Sequence, residues 1–357
     1  MSISRKHFHT FDALRFFSFL LVFVNHVPYE DSTLLPFFTQ SGRVGVAFFF
    51  VLSGFLITYI LLHEKITEGQ LSLKKFFMRR ILRIWPLFYA MILFAFLTPY
   101  ILDALHLSYS GEGYKPNWLV SVLFLENYKM MLTHSFPDTS PLRVMWSLCI
   151  EEHFYILWGI TFYFIPLKRV PHLIAISILT GIVFRLIYGH FGILYLDVFS
   201  NLDYFAYGAI PAYLLLFKGD LIDRVGEVSL SVKYFMLFIT VALLFVIPCF
   251  NPGWMSSYQA VVLGILFALI ILFTLPTAKP IHINDRWVIS KLGIYTYGLY
   301  LFHTIIVNLL LRIGKDIPLM SNWFVLALVS LLLSVFVSIP SYYLFEKQFL
   351  KLKKYFY

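Results

Sequence analysis

Residues 44–62 read VGVAFFFVLSGFLITYILL, a run without one charged side chain. At about 1.5 Å of rise per residue, a helix of that length crosses roughly 30 Å of hydrocarbon. The run is too long for a strand and too uniformly apolar for a helix with a watered face. Working outward, similar runs fall at about 11–27, 84–101, 146–165, 171–189, 199–217, 234–250, 257–276, 293–311 and 322–344. The expected fold class is therefore all-α: a polytopic membrane protein with about ten transmembrane helices in one bundle. With 60% hydrophobic, 19% aromatic and 13% charged residues, the chain has a composition that no water-soluble domain of this size needs. One membrane domain over residues 1–357 is expected, without repeats, low-complexity tracts or a soluble appended domain. The first run reads as a retained span, because no small-residue cleavage site follows it.

The formal net charge of +9 does not indicate nucleic acid, since the basic residues sit in short loops beside apolar runs. With a cytoplasmic N-terminus, 20 Lys and Arg fall in inner segments and 6 in outer ones, and Arg15 and Arg185 lie within spans, which accounts for all 28. That asymmetry predicts that both termini of this integral, multi-pass membrane chain are cytoplasmic. The long outer connection, about 102–143, carries Gly111, Gly113, Pro116, Pro137 and Pro141. Its middle, Trp118 to Lys129, predicts an interfacial helix suited to a lid or acceptor-binding segment. Cys149 and Cys249 each lie in an apolar segment, which points to neither a disulfide nor a zinc site.

An ionisable group in hydrocarbon costs several kcal/mol unless it faces a protein-lined or aqueous interior, so the few within spans are the functional candidates. They are Asp12, Arg15 and His26 in the first span, Glu151, Glu152 and His153 in the fourth, Arg185 in the fifth, Asp203 in the sixth and His303 in the ninth. Arg15 and His26 are eleven residues apart, close to three helical turns, so they share one face about 16 Å apart along the axis. An extended phosphorylated donor such as a coenzyme A thioester fits that spacing, its anionic end at Arg15 and its acyl end at His26. The alternative is structural, with Arg15 snorkelling or paired with Asp12 and His26 an interfacial histidine. Arg79, Arg80 and Arg83 carry two readings as well. Guanidinium forks clamp phosphates, and a basic cluster at a span end also binds anionic lipid. Glu151 and Glu152 point about 100° apart on a helix, so only one can share the interior with His26, where a carboxylate would hold the imidazole's tautomer. Arg185 and Asp203 are placed to pair, for structure or for substrate.

Together the segments Phe11-Asp12-Ala13-Leu14-Arg15 to Asn25-His26, Gly45 to Ile57, Arg79-Arg80-Ile81-Leu82-Arg83-Ile84-Trp85-Pro86, Trp146-Ser147-Leu148 to Glu151-Glu152-His153-Phe154-Tyr155, and Gly298-Leu299-Tyr300-Leu301-Phe302-His303 resemble the acyltransferase-3 family of membrane O-acyltransferases, in the family's order and over nearly the whole chain. The resemblance implies a ten-helix domain that moves an acyl group, most often acetyl, from cytoplasmic acyl-CoA to a hydroxyl of a cell-surface glycan or a lipid-linked glycan precursor, with no metal. It implies that His26 is the essential histidine and Arg15 its partner. Arg79, Arg80 and Arg83 then belong to the donor site, and Glu151 is the acidic residue that orients His26. Arg185, Asp203 and His303 are left as substrate-binding candidates. Ser53 and Gly54 match a motif of small residues, read as packing. Ala47 stands where the family often has an acidic residue, so that carboxylate is not required here. The chain ends at Tyr357, from which no extra hydrolase-like domain is expected. The rival reading is an exporter or flippase of a glycan or lipid-linked intermediate, whose charges would line a path. A structural partner in a polysaccharide-synthesis complex is a third.

Overall fold

The computed structural model describes residues 8–28, 41–107, 112–246, 257–315 and 317–356. Gly111, Cys249 and the end of the expected seventh span at 247–250 lie outside them. Among the described residues the regular structure is helical, apart from an isolated bridge between Tyr114 and Pro137. In chain order the α-helices are α1 (Thr10–His26), α2 (Ser41–Thr67), α3 (Leu73–Ala104), the short α4 (Trp118–Val122), α5 (Glu126–Thr133) and α6 (Ser140–Arg143), then α7 (Trp146–Phe164), α8 (Val170–Phe191), α9 (Leu202–Phe217), α10 (Gly219–Glu227), α11 (Leu230–Val246), α12 (Ser257–Thr274), α13 (Val288–Gly293), α14 (Thr296–Ile313), α15 (Trp323–Ser341) and the short α16 (Lys347–Lys351).

Five described helices are long and apolar enough to cross a membrane, and six if α9 and α10, bent by 100°, count as one span. Each of the ten sequence runs overlaps a described helix, but α1, α11 and α12 are shorter, and α7 is diluted by Glu151, Glu152 and His153. The outward faces suit hydrocarbon. Ile176, Leu179, Val183 and Leu186 are exposed along α8, as are Leu328, Leu332 and Phe336 along α15, at the three-to-four-residue spacing of one helix side. Apolar surface of that extent has its place against lipid.

At the centre, α1 buries residues on every side, from Phe11, Ala13 and Leu14 to Leu21, Val22 and Phe23. It stops where Pro28 follows, because the residue before a proline is driven out of the helical region; Val27 is extended, at φ −83° and ψ 113°. Against α1 and α9 lies α2, and its glycines set the approach. A Cβ on Gly54 would come within 2.1 Å of the Phe205 carbonyl oxygen, and one on Gly208 within 1.9 Å of the Val51 carbonyl oxygen. The small-residue reading of Gly54 therefore holds, with the two backbones in contact.

Polar rungs join α2 to α7, which run side by side in the same direction. Ser53 Oγ donates to Glu151 Oε1 at 2.9 Å, Trp158 Nε1 donates to Thr58 Oγ1 at 2.9 Å, and Lys65 Nζ donates to the carbonyls of Phe162 and Ile165 at 2.8 and 2.6 Å. Lys65 thus occupies the C-terminal carbonyls of α7, where a cation is favoured by both hydrogen bonding and the helix dipole. Near the same end His9 bonds Asp285, Thr10 Oγ1 accepts from the Ile283 amide at 3.2 Å, and Arg79 Nη1 donates to the Phe356 carbonyl at 2.7 Å. The start of α1 and the last described turn therefore share one end of the bundle. At the other, Trp323 Nε1 donates to the Val27 carbonyl at 3.3 Å.

Two segments differ from the sequence reading. Helix α3 begins at Leu73, eleven residues before the expected span, so Arg79, Arg80 and Arg83 lie on a continuous helix of roughly 48 Å. The outer segment forms two short helices where one was expected. Phe124 adopts a left-handed φ of +59°, uncommon for a bulky residue, while its ring stacks on Phe88 at 4.0 Å. The break also seats the buried carboxylate of Glu126 between Tyr114 Oη at 2.5 Å and Ser121 Oγ at 2.6 Å.

Replacing Gly54 by alanine forces a methyl against the Phe205 backbone. The expected result is a loss of about 1–3 kcal/mol or more, as for other overpacked sites, read as a lower thermal midpoint of the purified protein in detergent.

Candidate functional site

Two adjoining cavities lie along α1, each anchored by one of its polar side chains. The first, about 120 Å³, is lined by Arg15, Ser53, Arg80, Arg83, Glu151 and Tyr155, and closed by Ser147, Tyr297 and Tyr300. The second, about 380 Å³, is lined by Asn25, His26, Arg43, Arg143, Trp146, Thr304 and Asn308, and again by Tyr300. Val46 and Tyr300 face both. Tyr300 Oη lies 2.6 Å from Ser147 Oγ and donates to the Val144 carbonyl at 3.0 Å, which fixes the phenol in the shared wall. The face of α1 read from sequence thus connects the two cavities, Arg15 in one and His26 in the other.

Arg80 and Arg83 enter the first cavity from one side of α3. Arg79 does not: it stands about 100° from Arg80 around the helix, on the far side of Arg83, and its guanidinium is taken by other partners. Its guanidinium is buried between Glu64 Oε2, at 2.8 Å, and the Phe356 carbonyl, a staple between α2, α3 and the last turn. Arg15 Nη1 donates to Asp12 Oδ1 at 2.6 Å, so the structural pairing and the cavity position hold together. Glu151 faces these guanidiniums and accepts from Ser53 Oγ at 2.9 Å and Tyr155 Oη at 2.9 Å. Its neighbour Glu152 turns away and accepts from Trp85 Nε1 at 3.2 Å, as the angular offset requires.

The expected hydrogen bond between Glu151 and His26 is not formed. Depth explains this. Glu151 lies more than a turn inside the start of α7, level with Ser53, whereas His26 ends α1. The imidazole meets His303 in its place, the rings 5.0 Å apart and edge to face. His26 Nδ1 is 2.8 Å from the Val22 carbonyl oxygen and 3.3 Å from His303 Nε2; His303 Nδ1 is 2.7 Å from the Tyr300 carbonyl oxygen. A carbonyl only accepts, so both Nδ1 atoms carry protons. His303 Nε2 then accepts, and His26 keeps an unprotonated Nε2, the form a general base needs. His303 is wholly buried, so its effect on chemistry passes through His26.

Arg185 and Asp203 form the pair the sequence suggested. Nη1 and Nη2 of Arg185 reach Oδ2 and Oδ1 of Asp203 at 2.5 and 2.6 Å, 3% and 0% exposed, with the guanidinium over the Tyr204 ring. Arg185 also lines a third cavity, of about 160 Å³, beside the His26 cavity. Sequence reasoning missed Ser53, read as packing, and also Tyr155, Ser147 and Tyr300. For Tyr300 a signal was present, because it stands three residues from His303, on the same helix side.

Comparison with known proteins adds an independent line. Residues 8–343 match the family described as an acyltransferase domain, acyltransferase-3. The chain is 35% identical over 160 residues to peptidoglycan O-acetyltransferase OatA of Listeria monocytogenes, covering 43% of this chain and 24% of that protein. It is 27% identical over 333 residues to a provisionally named O-acetyltransferase, SACOL0978, of Staphylococcus aureus, covering 83% of this chain and 50% of that one. The chain thus spans half or less of the length of these relatives. No solved structure matches.

Removing one partner of a buried ion pair strands the other. Asp203→Ala is expected to cost about 3–5 kcal/mol, measured by chemical or thermal unfolding in detergent. Arg185→Leu combined with Asp203→Ala should recover part of that loss.

Proposed function

The chain belongs to the acyltransferase-3 family, and from that premise we propose that it transfers an acyl group, most often acetyl, from acyl-CoA to a hydroxyl of a glycan or lipid-linked glycan. The observation that carries this reading is the paired cavity along α1, with guanidiniums at one end and a basic imidazole nitrogen at the other, sharing Tyr300 and Val46 as a wall. The names of the relatives point to peptidoglycan for those proteins; for this chain the acceptor is taken only as a glycan. The membrane arrangement we propose is ten spans in one domain, with both termini and the arginine end at the cytoplasm, where acyl-CoA is found. This rests on the excess of Lys and Arg at that end.

Arg15, Arg80 and Arg83 bind the anionic part of the donor, for which planar guanidinium forks are suited. Glu151 balances their charge while Ser53 and Tyr155 hold it in place. The thioester reaches past Ser147 and Tyr300 toward His26. Nε2 of His26 takes the proton of the acceptor hydroxyl as its oxygen attacks the thioester carbonyl carbon. A C–O ester bond forms, the C–S bond breaks, and the proton passes from the imidazolium to the leaving thiolate. A hydroxyl ionises far above neutrality, so the base acts within the transition state. The Val22 carbonyl and His303 hold the ring and stabilise its charged form through Nδ1–H.

With radiolabelled acetyl-CoA and purified protein, His26→Ala should lower kcat by about 10²–10⁴-fold, the usual range for a lost general base. Retention of transfer by a folded His26→Ala protein overturns this role, and an exporter would leave glycan ester content unchanged in every variant. His303→Asn is expected to lower kcat by roughly 10–100-fold with little change in KM, as loss of an orienting partner does elsewhere. Glu151→Gln and Arg83→Gln should act chiefly on the KM for acetyl-CoA.

A further inference from the structure

Val46 lines all three cavities, and among the described residues it shares with Tyr300 the wall between the guanidinium cavity and the His26 cavity. An acyl group carried from one to the other passes between those two side chains. Both are held from behind. Beside Val46 the backbone of α2 meets α1, where a Cβ on Gly45 would come within 2.5 Å of the Ser18 carbonyl oxygen. One turn further on, Phe50 stacks on Phe205 at 4.8 Å, and Phe205 on Phe154 at 3.9 Å. The Tyr300 ring meets Phe49 edge to face at 6.1 Å. Its hydroxyl and that of Ser147 are engaged with each other and with the Val144 carbonyl. A passing group therefore meets the apolar surface of Val46 and the phenol ring, with Phe49, Phe50 and Leu148 on the approach.

We propose that Val46 and Tyr300 determine which acyl group the protein transfers: they admit a short, unbranched, uncharged one and turn away branched or carboxylate-bearing ones. This deepens the acyltransferase reading and rests on it. Three effects act in the same direction. A methyl branch widens the chain where the two cavities meet, and close-packed side chains yield little to added volume. Methylenes added in line pass the wall, but they then occupy space beside Nε2 of His26 that the acceptor hydroxyl needs. A terminal carboxylate, as in a succinyl group, would leave water for an apolar wall that offers it no hydrogen bond, while the guanidiniums of the first cavity stay on the donor side. Tyr300 also has a tie to the base. Its carbonyl accepts from Nδ1 of His303 at 2.7 Å, and His303 meets the His26 ring, so the filter and the support of the base share one turn of α14.

The test uses the full chain in lipid nanodiscs and the unreactive thioethers S-ethyl-, S-butyl- and S-isobutyl-CoA, which differ only in the group on sulfur. Binding is measured first. Transfer is then measured in membranes of the protein's own cell, which carry the acceptor, with acetyl-, butyryl-, isobutyryl- and succinyl-CoA, by counting the acids that alkali releases from glycan. S-isobutyl-CoA should bind roughly tenfold or more weakly than S-butyl-CoA, the usual scale for one misplaced carbon. Transfer should fall in the order acetyl, butyryl, isobutyryl, with succinyl roughly a hundredfold below butyryl, its equal in chain length. Val46→Ala and Tyr300→Leu should bring the butyl-to-isobutyl ratio toward one, and Tyr300→Phe, which keeps the ring, should keep it. A merely structural role would weaken all donors alike and leave that ratio unchanged. Val46→Ala, remote from the hydroxyl latch, carries the test where Tyr300→Leu does not fold. Equal binding of S-butyl- and S-isobutyl-CoA by the wild-type chain, or an unaltered ratio in Val46→Ala, overturns the filter, and succinyl transfer as fast as butyryl overturns its rejection of charge. Transfer without preference among the donors removes this inference and leaves the acyltransferase reading intact. Selective binding with no ester formed from any donor does the reverse.

Discussion

Charge placed among apolar helices has no water to fall back on, so each such group must be met by another part of the protein or by a cavity. That constraint sorts the ionisable residues of this chain into two kinds. Arg185 with Asp203, Arg79 with Glu64 and the Phe356 carbonyl, and Glu126 with Tyr114 and Ser121 are consumed internally. They tie helices and loops together and have little left to offer a ligand. Arg15, Arg80, Arg83, Glu151, Arg43 and His26 instead reach cavities. The proposed functional region is therefore the part of the bundle where ionisable side chains, whatever holds them in place, also line a cavity.

Helix α1 acts as a ruler for that region. Because it is helical from Thr10 to His26, the distance from the guanidinium cavity to the imidazole follows from residue count alone, about 16 Å of rise. Tyr300 divides the length it measures. The histidine pair completes the arrangement through backbone carbonyls, without a carboxylate. A neutral His303 costs less to bury than an anion would, since no counter-charge has to be desolvated with it.

Much of this was legible in the sequence, because hydrocarbon asks for long apolar runs and punishes stray charge. Each run met a helix, and Arg185 and Asp203 found each other as the compensating charges on adjacent spans. The face shared by Arg15 and His26 needed only the period of a helix. What could not be read was register between helices that are distant in sequence. Three arginines in one segment do not reveal that Glu64 and the last turn take Arg79 away. Glu151 and His26 both fall in the outer parts of their spans when read from sequence, and only the stagger of α7 against α1 separates them. Ser53 sits beside a packing glycine, so its hydroxyl seemed incidental until α7 brought a carboxylate opposite. At Phe124 a stacking partner from α3 overrode the local preference for a longer helix.

The polar rungs between α2 and α7 have a consequence for motion. Their residue offset stays between 97 and 100 from Ser53 to Lys65, so neither helix can slide past the other without breaking bonds at several depths together. One side of the wall region between the two cavities is thus held in fixed register. The phenol opposite, on α14, is latched by a serine hydroxyl and one carbonyl. In the proposed reaction, a rotamer change of that one ring is the local movement that would open the wall between the two cavities while the α2–α7 side keeps its register.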